Sequence, residues 1–192
     1  MTTSKGSVRI IGGEHRGRRL SFTDQNGDLR PTGDRMRETL FNWLQFEVQG
    51  KRVLDLFAGS GALAAEALSR GAASALLVEK KRERAADLHK HLAPIFSERV
   101  RVKCADALKW VTHHTDQFDI AFVDPPYDLA LQQAACEALM QYRLLAPGAW
   151  VYVESRRQQP APQAPAEWLL LKDKESGDVR AQLYRLPQSG EV

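Results

Sequence analysis

Cysteine is nearly absent: the chain has two, Cys104 and Cys136, and no CxxC pair. That excludes a disulfide framework and a cysteine zinc site. No apolar run approaches the roughly 20 residues that a membrane span requires. The opening MTTSKGSVRII lacks the apolar core of a signal peptide, so a reducing, cytoplasmic location is expected. Histidines are few. His89 and His91 lie two apart on an expected helix and do not share a face; His113 and His114 read as solvated. No metal site is expected, and no serine, histidine and acid arrangement suggests a hydrolase. Internal repeats and long low-complexity tracts are also missing.

What is present is an ordinary globular composition. In 192 residues, 43% are hydrophobic and 27% charged, enough for one domain with a substantial core. The stretch that organises the rest is RVLDLFAGSGALAAEALSRG, from Arg52 to Gly71. Val53, Leu54, Leu56 and Phe57 make a short, nearly continuous apolar strand, as in a parallel sheet covered on both faces. Gly59 and Gly61 form a turn. Leu63, Ala64, Ala67 and Leu68 then recur at helical spacing. The turn lacks the Gly-Lys-Ser/Thr ending of a phosphate loop and the third glycine of GxGxxG.

Strand and helix alternate from there. Strands are expected at Ser74–Glu79, Arg99–Lys103, Phe118–Val123 and Trp150–Glu154. Helices are expected at Arg84–Leu92, Ala105–Val111 and Leu129–Tyr142, the last closed by Ala146-Pro147-Gly148. Repeated strand–helix pairs mean a parallel α/β sheet. After the proline-rich loop at Pro160, Pro162 and Pro165 the rhythm changes. Trp168–Leu171 and Val179–Leu186 read as an antiparallel hairpin turned by Lys174–Asp178. A mostly parallel sheet ending so is the Rossmann-like class I methyltransferase layout.

Ahead of it lies an arm. Residues 1–37 carry eight basic residues against four acidic ones, in a chain of net charge +3. Val8, Ile10 and Ile11 suggest a strand, residues 12–17 a turn, and Arg19–Phe22 a return strand. Residues 1–33 are read as this basic hairpin and arm, and 34–192 as the methyltransferase domain. Clustered arginine is the footprint of a nucleic-acid contact, here Arg9, His15, Arg16, Arg18, Arg19, Arg30, Arg35 and Arg37. Asp34 is a candidate cap for a helix whose apolar stripe is Met36, Leu40, Trp43 and Leu44.

The chemistry sits at strand ends. Glu79 closes the second strand of the sheet, where a carboxylate accepts hydrogen bonds from both ribose hydroxyls. Asp106 stands where an adenine amine would be read, and Asp55 is near the same pocket. Several acids around a glycine turn suit a cationic cofactor such as S-adenosylmethionine, a sulfonium without pyrophosphate. Its expected contacts are Asp55, Phe57, Ala58, Gly59, Ser60, Gly61, Glu79, Asp106, Ala107 and Asp124.

The most specific motif is Asp124-Pro125-Pro126-Tyr127, after the fourth strand of the sheet. The prolines have no N–H, so this turn offers only acceptors. Asp124 and the Pro125 carbonyl can each take one hydrogen of an exocyclic amine, and Tyr127 offers a ring for stacking the base. Asp124, Pro125, Pro126 and Tyr127 are the expected catalytic residues. Extracting a paired base costs a few kcal/mol and one aromatic stack returns about 1–3 kcal/mol, so an unpaired or loop base is expected.

With these words in place, the chain resembles the RsmD-type 16S rRNA (guanine-N2)-methyltransferase family. VRIIGGEHRGRRL, RPTGDRMRETLFNWL, LDLFAGSGALAAEALSRGA, FVDPPY and VYVES all stand where that family has similar words. The resemblance implies methyl transfer from S-adenosylmethionine to the N2 amine of a guanine in 16S rRNA. It also implies the small ribosomal subunit or its assembly intermediate as the partner, and the enzyme is expected to be a monomer. Two other readings are an amino-methyltransferase for DNA adenine N6 or protein glutamine, and a non-catalytic RNA-binding assembly factor.

Overall fold

The computed structural model describes residues 4–24, 33–126 and 129–188. Two antiparallel strands, β1 (Ser4–Arg9) and β2 (Arg19–Asp24), make a hairpin. Alternation sorts its faces: Val8 pairs with Leu20 and both are buried, while Arg9 pairs with Arg19 and both are exposed. Gly6 lies under the Phe22 ring, where a Cβ would come within 2.3 Å of it.

Helix α1 (Asp34–Trp43) follows. Gly33, not Asp34, holds its cap position, because the Asp34 carboxylate is drawn instead to the Arg37 guanidinium one turn on. The stripe Met36, Leu40 and Leu44 is buried and Trp43 packs partly against it; Phe41 and Arg37 are buried as well.

The main sheet has seven strands: β3 (Arg52–Asp55), β4 (Ser74–Glu79), β5 (Val100–Cys104), β6 (Phe118–Val123), β7 (Leu145–Arg156), β8 (Leu169–Ser176) and β9 (Val179–Arg185). Their order is β5-β4-β3-β6-β7-β9-β8. The first five run parallel; β9 joins β7, and β8 joins β9, antiparallel. This is the class I methyltransferase arrangement expected above. Helices α2 (Ala62–Ser69), α3 (Arg82–Phe96), α4 (Ala107–Val111) and α5 (Gln132–Gln141) connect the strands. One core lies under α1, α2 and α3, the other under α4 and α5. No helix among the described residues is long and apolar enough to cross a membrane.

Several boundaries differ from the sequence reading. Strand β1 ends at Arg9, before Ile10 and Ile11. Helix α3 spans Arg82–Phe96 rather than Arg84–Leu92, and α4 starts at Ala107 rather than Ala105. Strand β7 starts at Leu145 rather than Trp150. Helix α5 starts at Gln132 rather than Leu129. Ala146, Pro147 and Gly148 fall within β7 instead of only closing that helix, since Phe118 already pairs with Leu145. Lys174 to Ser176 belong to β8, because the positive φ at Gly177 lets the turn shrink to two residues.

The order reverses between β4 and β6, on either side of β3. Ligands of such sheets bind at that switch point, beyond the carboxyl ends of the strands. Asp55, Glu79 and Asp124 all stand there.

Candidate active site

The turn between β3 and α2 is built on positive φ at Gly59 (53°) and Gly61 (74°). Gly61 precedes the first residue of α2. A Cβ on it would lie 2.7 Å from the Leu88 side chain, so a larger residue meets both backbone strain and a clash. The Gly61 N–H donates to the Ala58 carbonyl at 2.7 Å, closing the turn.

Glu79 reaches this turn from β4. Its Oε2 accepts from the Gly59 N–H at 3.2 Å and its Oε1 from the Lys81 N–H at 2.8 Å. The Arg84 guanidinium stands 4.0 Å from Oε1. The carboxylate is therefore oriented before any ligand arrives, and each oxygen retains a lone pair for a hydroxyl donor.

Asp55 is buried on the other side of the turn. It accepts from the backbone N–H groups of Phe57 and Ala64, yet its Oδ2 has no hydrogen-bond partner among the described residues. Burial pushes its carboxyl up to about 7, and the negative charge of Glu79 pushes the same way. An unpartnered carboxylate oxygen beside a second carboxylate suits a cationic ligand. The donor set thus fits S-adenosylmethionine, whose sulfonium and ammonium are both positive.

Asp106 precedes α4 and caps it, accepting from the Lys109 N–H at 3.4 Å. It also pairs with Lys80 at 2.9 Å. The Lys80 ammonium holds the Asp106 carboxyl below its ordinary range. Ala107 is buried behind it, and Ser60 is buried within the turn.

Asp124 follows β6, half-buried, with Pro125 buried and Pro126 exposed. Both prolines leave the turn without N–H donors, and the Pro126 carbonyl is taken by the Leu129 N–H at 3.1 Å. Tyr127 lies outside the described residues, as does Arg30.

The basic hairpin divides its arginines. Arg9, Arg16, Arg18, Arg19 and Arg35 are exposed. His15 is half-buried, its ring edge-on to Phe96 at 5.1 Å. Arg37 is a correction. Its side chain is 1% exposed and donates to the Arg9 carbonyl and the Asp34 carboxylate, so it holds the fold together and cannot reach a phosphate.

The sequence reading missed Glu66, Ser69 and Arg70 on α2. Glu66 is fully buried and accepts from the Ile11 and Gly12 N–H groups at 2.7 and 2.8 Å, and from Arg70 Nε at 2.7 Å. The available signal was one acid inside an otherwise apolar helix, LAAEAL. Such an acid must be paired to be buried.

Fold and strand-end acids together define a class I S-adenosylmethionine-dependent methyltransferase. More narrowly, the chain belongs to the family described as Conserved hypothetical protein 95, whose model matches residues 8–185. It is 42% identical over 189 residues to Ribosomal RNA small subunit methyltransferase D of Escherichia coli strain K12, covering 98% of this chain and 95% of that protein. The Haemophilus influenzae protein of the same name is 41% identical over 186 residues, covering 95% of each. Among solved structures, yhhF of Escherichia coli superposes with a TM-score of 0.85 at 40% identity, covering 95% of this chain and 99% of that one.

Proposed function

We propose that this chain transfers a methyl group from S-adenosylmethionine to the exocyclic N2 amine of a guanine in 16S rRNA, within the small ribosomal subunit or its assembly intermediate. The observation that carries this reading is the acceptor-only corner Asp124-Pro125-Pro126 at the switch point, beyond the same strand ends as the donor turn.

Glu79 takes the ribose hydroxyls, Asp106 and Ala107 border the adenine, and Asp55 faces the positive end of the donor. The target amine gives one hydrogen to Asp124 and the other to the Pro125 carbonyl. Both bonds pull its nitrogen out of conjugation with the ring, so the lone pair points at the methyl carbon. The nitrogen–carbon bond forms as the carbon–sulfur bond breaks. The sulfonium becomes a neutral thioether, and the methylated amine releases one proton to Asp124 or water. Rate comes from alignment and from acceptors placed where positive charge develops. Tyr127 stacks the base.

The direct test is nucleoside analysis of 16S rRNA from cells lacking the protein. Loss of one N2-methylguanosine, restored by the purified enzyme with labelled donor, supports the reading. An unchanged rRNA profile, or label entering DNA or protein instead, overturns it.

The exposed hairpin arginines grip RNA phosphates. Replacing Arg16, Arg18 and Arg19 together with alanine should weaken particle binding and flatten its logarithmic salt dependence by about two to three. Donor affinity should stay unchanged in calorimetry. Equal particle binding at all salt concentrations would make the hairpin tip a bystander.

A further inference from the structure

We propose that Glu66 is a positioning residue for transfer: it fixes the basic hairpin relative to the donor turn and so sets where the RNA stands against the methyl. This role rests on the RNA reading of the hairpin given above.

A fully buried carboxylate is costly unless paired and hydrogen-bonded. Glu66 meets that condition with three partners from the N-terminal segments, Ile11, Gly12 and Arg37, and one from its own helix, Arg70. One oxygen takes the Ile11 N–H, with Arg37 Nη1 at 3.8 Å. The other takes the Gly12 N–H and the Arg70 guanidinium. Arg37 also donates to the Arg9 carbonyl and to Asp34, so α1 is tied into the same knot.

Ser69, one turn further along α2, adds a second grip. Its hydroxyl donates to the Gly12 carbonyl at 2.7 Å and accepts the His15 N–H at 2.9 Å. Its carbonyl accepts the Glu14 N–H at 2.7 Å. The approach is so close that a Cβ on Gly13 would stand 1.9 Å from that carbonyl oxygen.

The placement matters because α2 begins directly after Gly61. One short helix carries the donor turn at its start and the hairpin's anchor on its flank. The exposed face of the hairpin, with Arg9 and Arg19, is thereby held at a fixed offset from the site. Misplacing a substrate by about 1 Å can cost about a hundredfold in rate. Two neighbouring N–H groups converge on two carboxylate oxygens here. An amide could accept only one and would set its own NH2 against the other.

The test compares Glu66→Gln, and the milder Ser69→Ala, with wild type. Three quantities are read: hydrogen exchange at the Ile11 and Gly12 amides, S-adenosylmethionine affinity, and kcat/KM on 30S particles. In Glu66→Gln, exchange at these amides should quicken and kcat/KM fall, each by about tenfold or more, the size expected for losing a hydrogen bond to a charged group. Donor affinity should change by less than about twofold on the same scale. Ser69→Ala should move the same way by less, and it decides the matter if Glu66→Gln does not fold. Unchanged kcat/KM despite faster exchange would overturn the role. So would a loss of donor affinity that parallels the loss of turnover, since that marks general damage to α2. A wild-type enzyme that methylates no small-subunit RNA would remove the proposed function and this role with it; silent variants of an active wild type remove this role alone.

Discussion

Asp124→Ala should lower methyl transfer by about a hundred- to a thousandfold, the range seen when a hydrogen-bonding group aimed at developing charge is deleted. Alanine leaves the amine with the Pro125 carbonyl alone, so its nitrogen stays conjugated with the ring and its lone pair is not aimed at the methyl carbon. Asp124→Asn keeps one carbonyl acceptor and should fall between wild type and alanine. Single-turnover labelling of 30S particles measures the chemical step, and calorimetry measures the donor. Donor affinity should be largely retained in both variants. Near-normal turnover in Asp124→Ala would exclude an amine held at this corner.

Asp55→Asn should change how donor binding responds to pH. In the donor-free protein the Asp55 carboxyl sits at about 7. A cationic donor favours the ionised form, so wild-type affinity should weaken as pH falls below about 7, approaching tenfold per unit. Asparagine should bind more weakly at pH 8 and lose that dependence. Stability moves the other way. The folded value lies above the ordinary 3.8, so the stabilising contribution is complete below pH 3.8 and is lost as pH rises through about 7. Donor-free Asp55→Asn should therefore melt higher than wild type at pH 8 and close to it at pH 4. Parallel pH profiles for the two proteins would show that Asp55 does not titrate in this window.

The parts of the fold most legible in the sequence were those set by local pattern. The apolar run from Val53, the following glycines and the helical spacing of Leu63 to Leu68 required nothing distant; the glycine turn and the helix appear as read, while the strand stops at Asp55 and leaves Leu56 and the half-buried Phe57 in the turn. Strand ends carrying Glu79 and Asp124 were equally plain, because strand–helix alternation fixes which end of a parallel sheet faces a ligand. Long-range pairing was hidden. Arg37 looked like a surface charge, since nothing within its helix tells that the Arg9 carbonyl and Glu66 wait 28 and 29 positions away. Asp34 looked like a cap because aspartate usually is one; a nearby guanidinium outcompeted the backbone. Lys80 pairs with Asp106 across two strand ends, a contact that no local pattern announces.

Among the described residues, the hairpin's own apolar side chains have no separate core to join. Ile10 and Leu20 are packed into the same cluster as Leu40, Leu44 and Leu68, and the anchor for Ile11 lies 55 residues downstream. During synthesis the leading strands must wait for α2 to emerge before they can settle. Grafted onto another scaffold without that helix, they would lose their orientation; this hairpin is not a portable module.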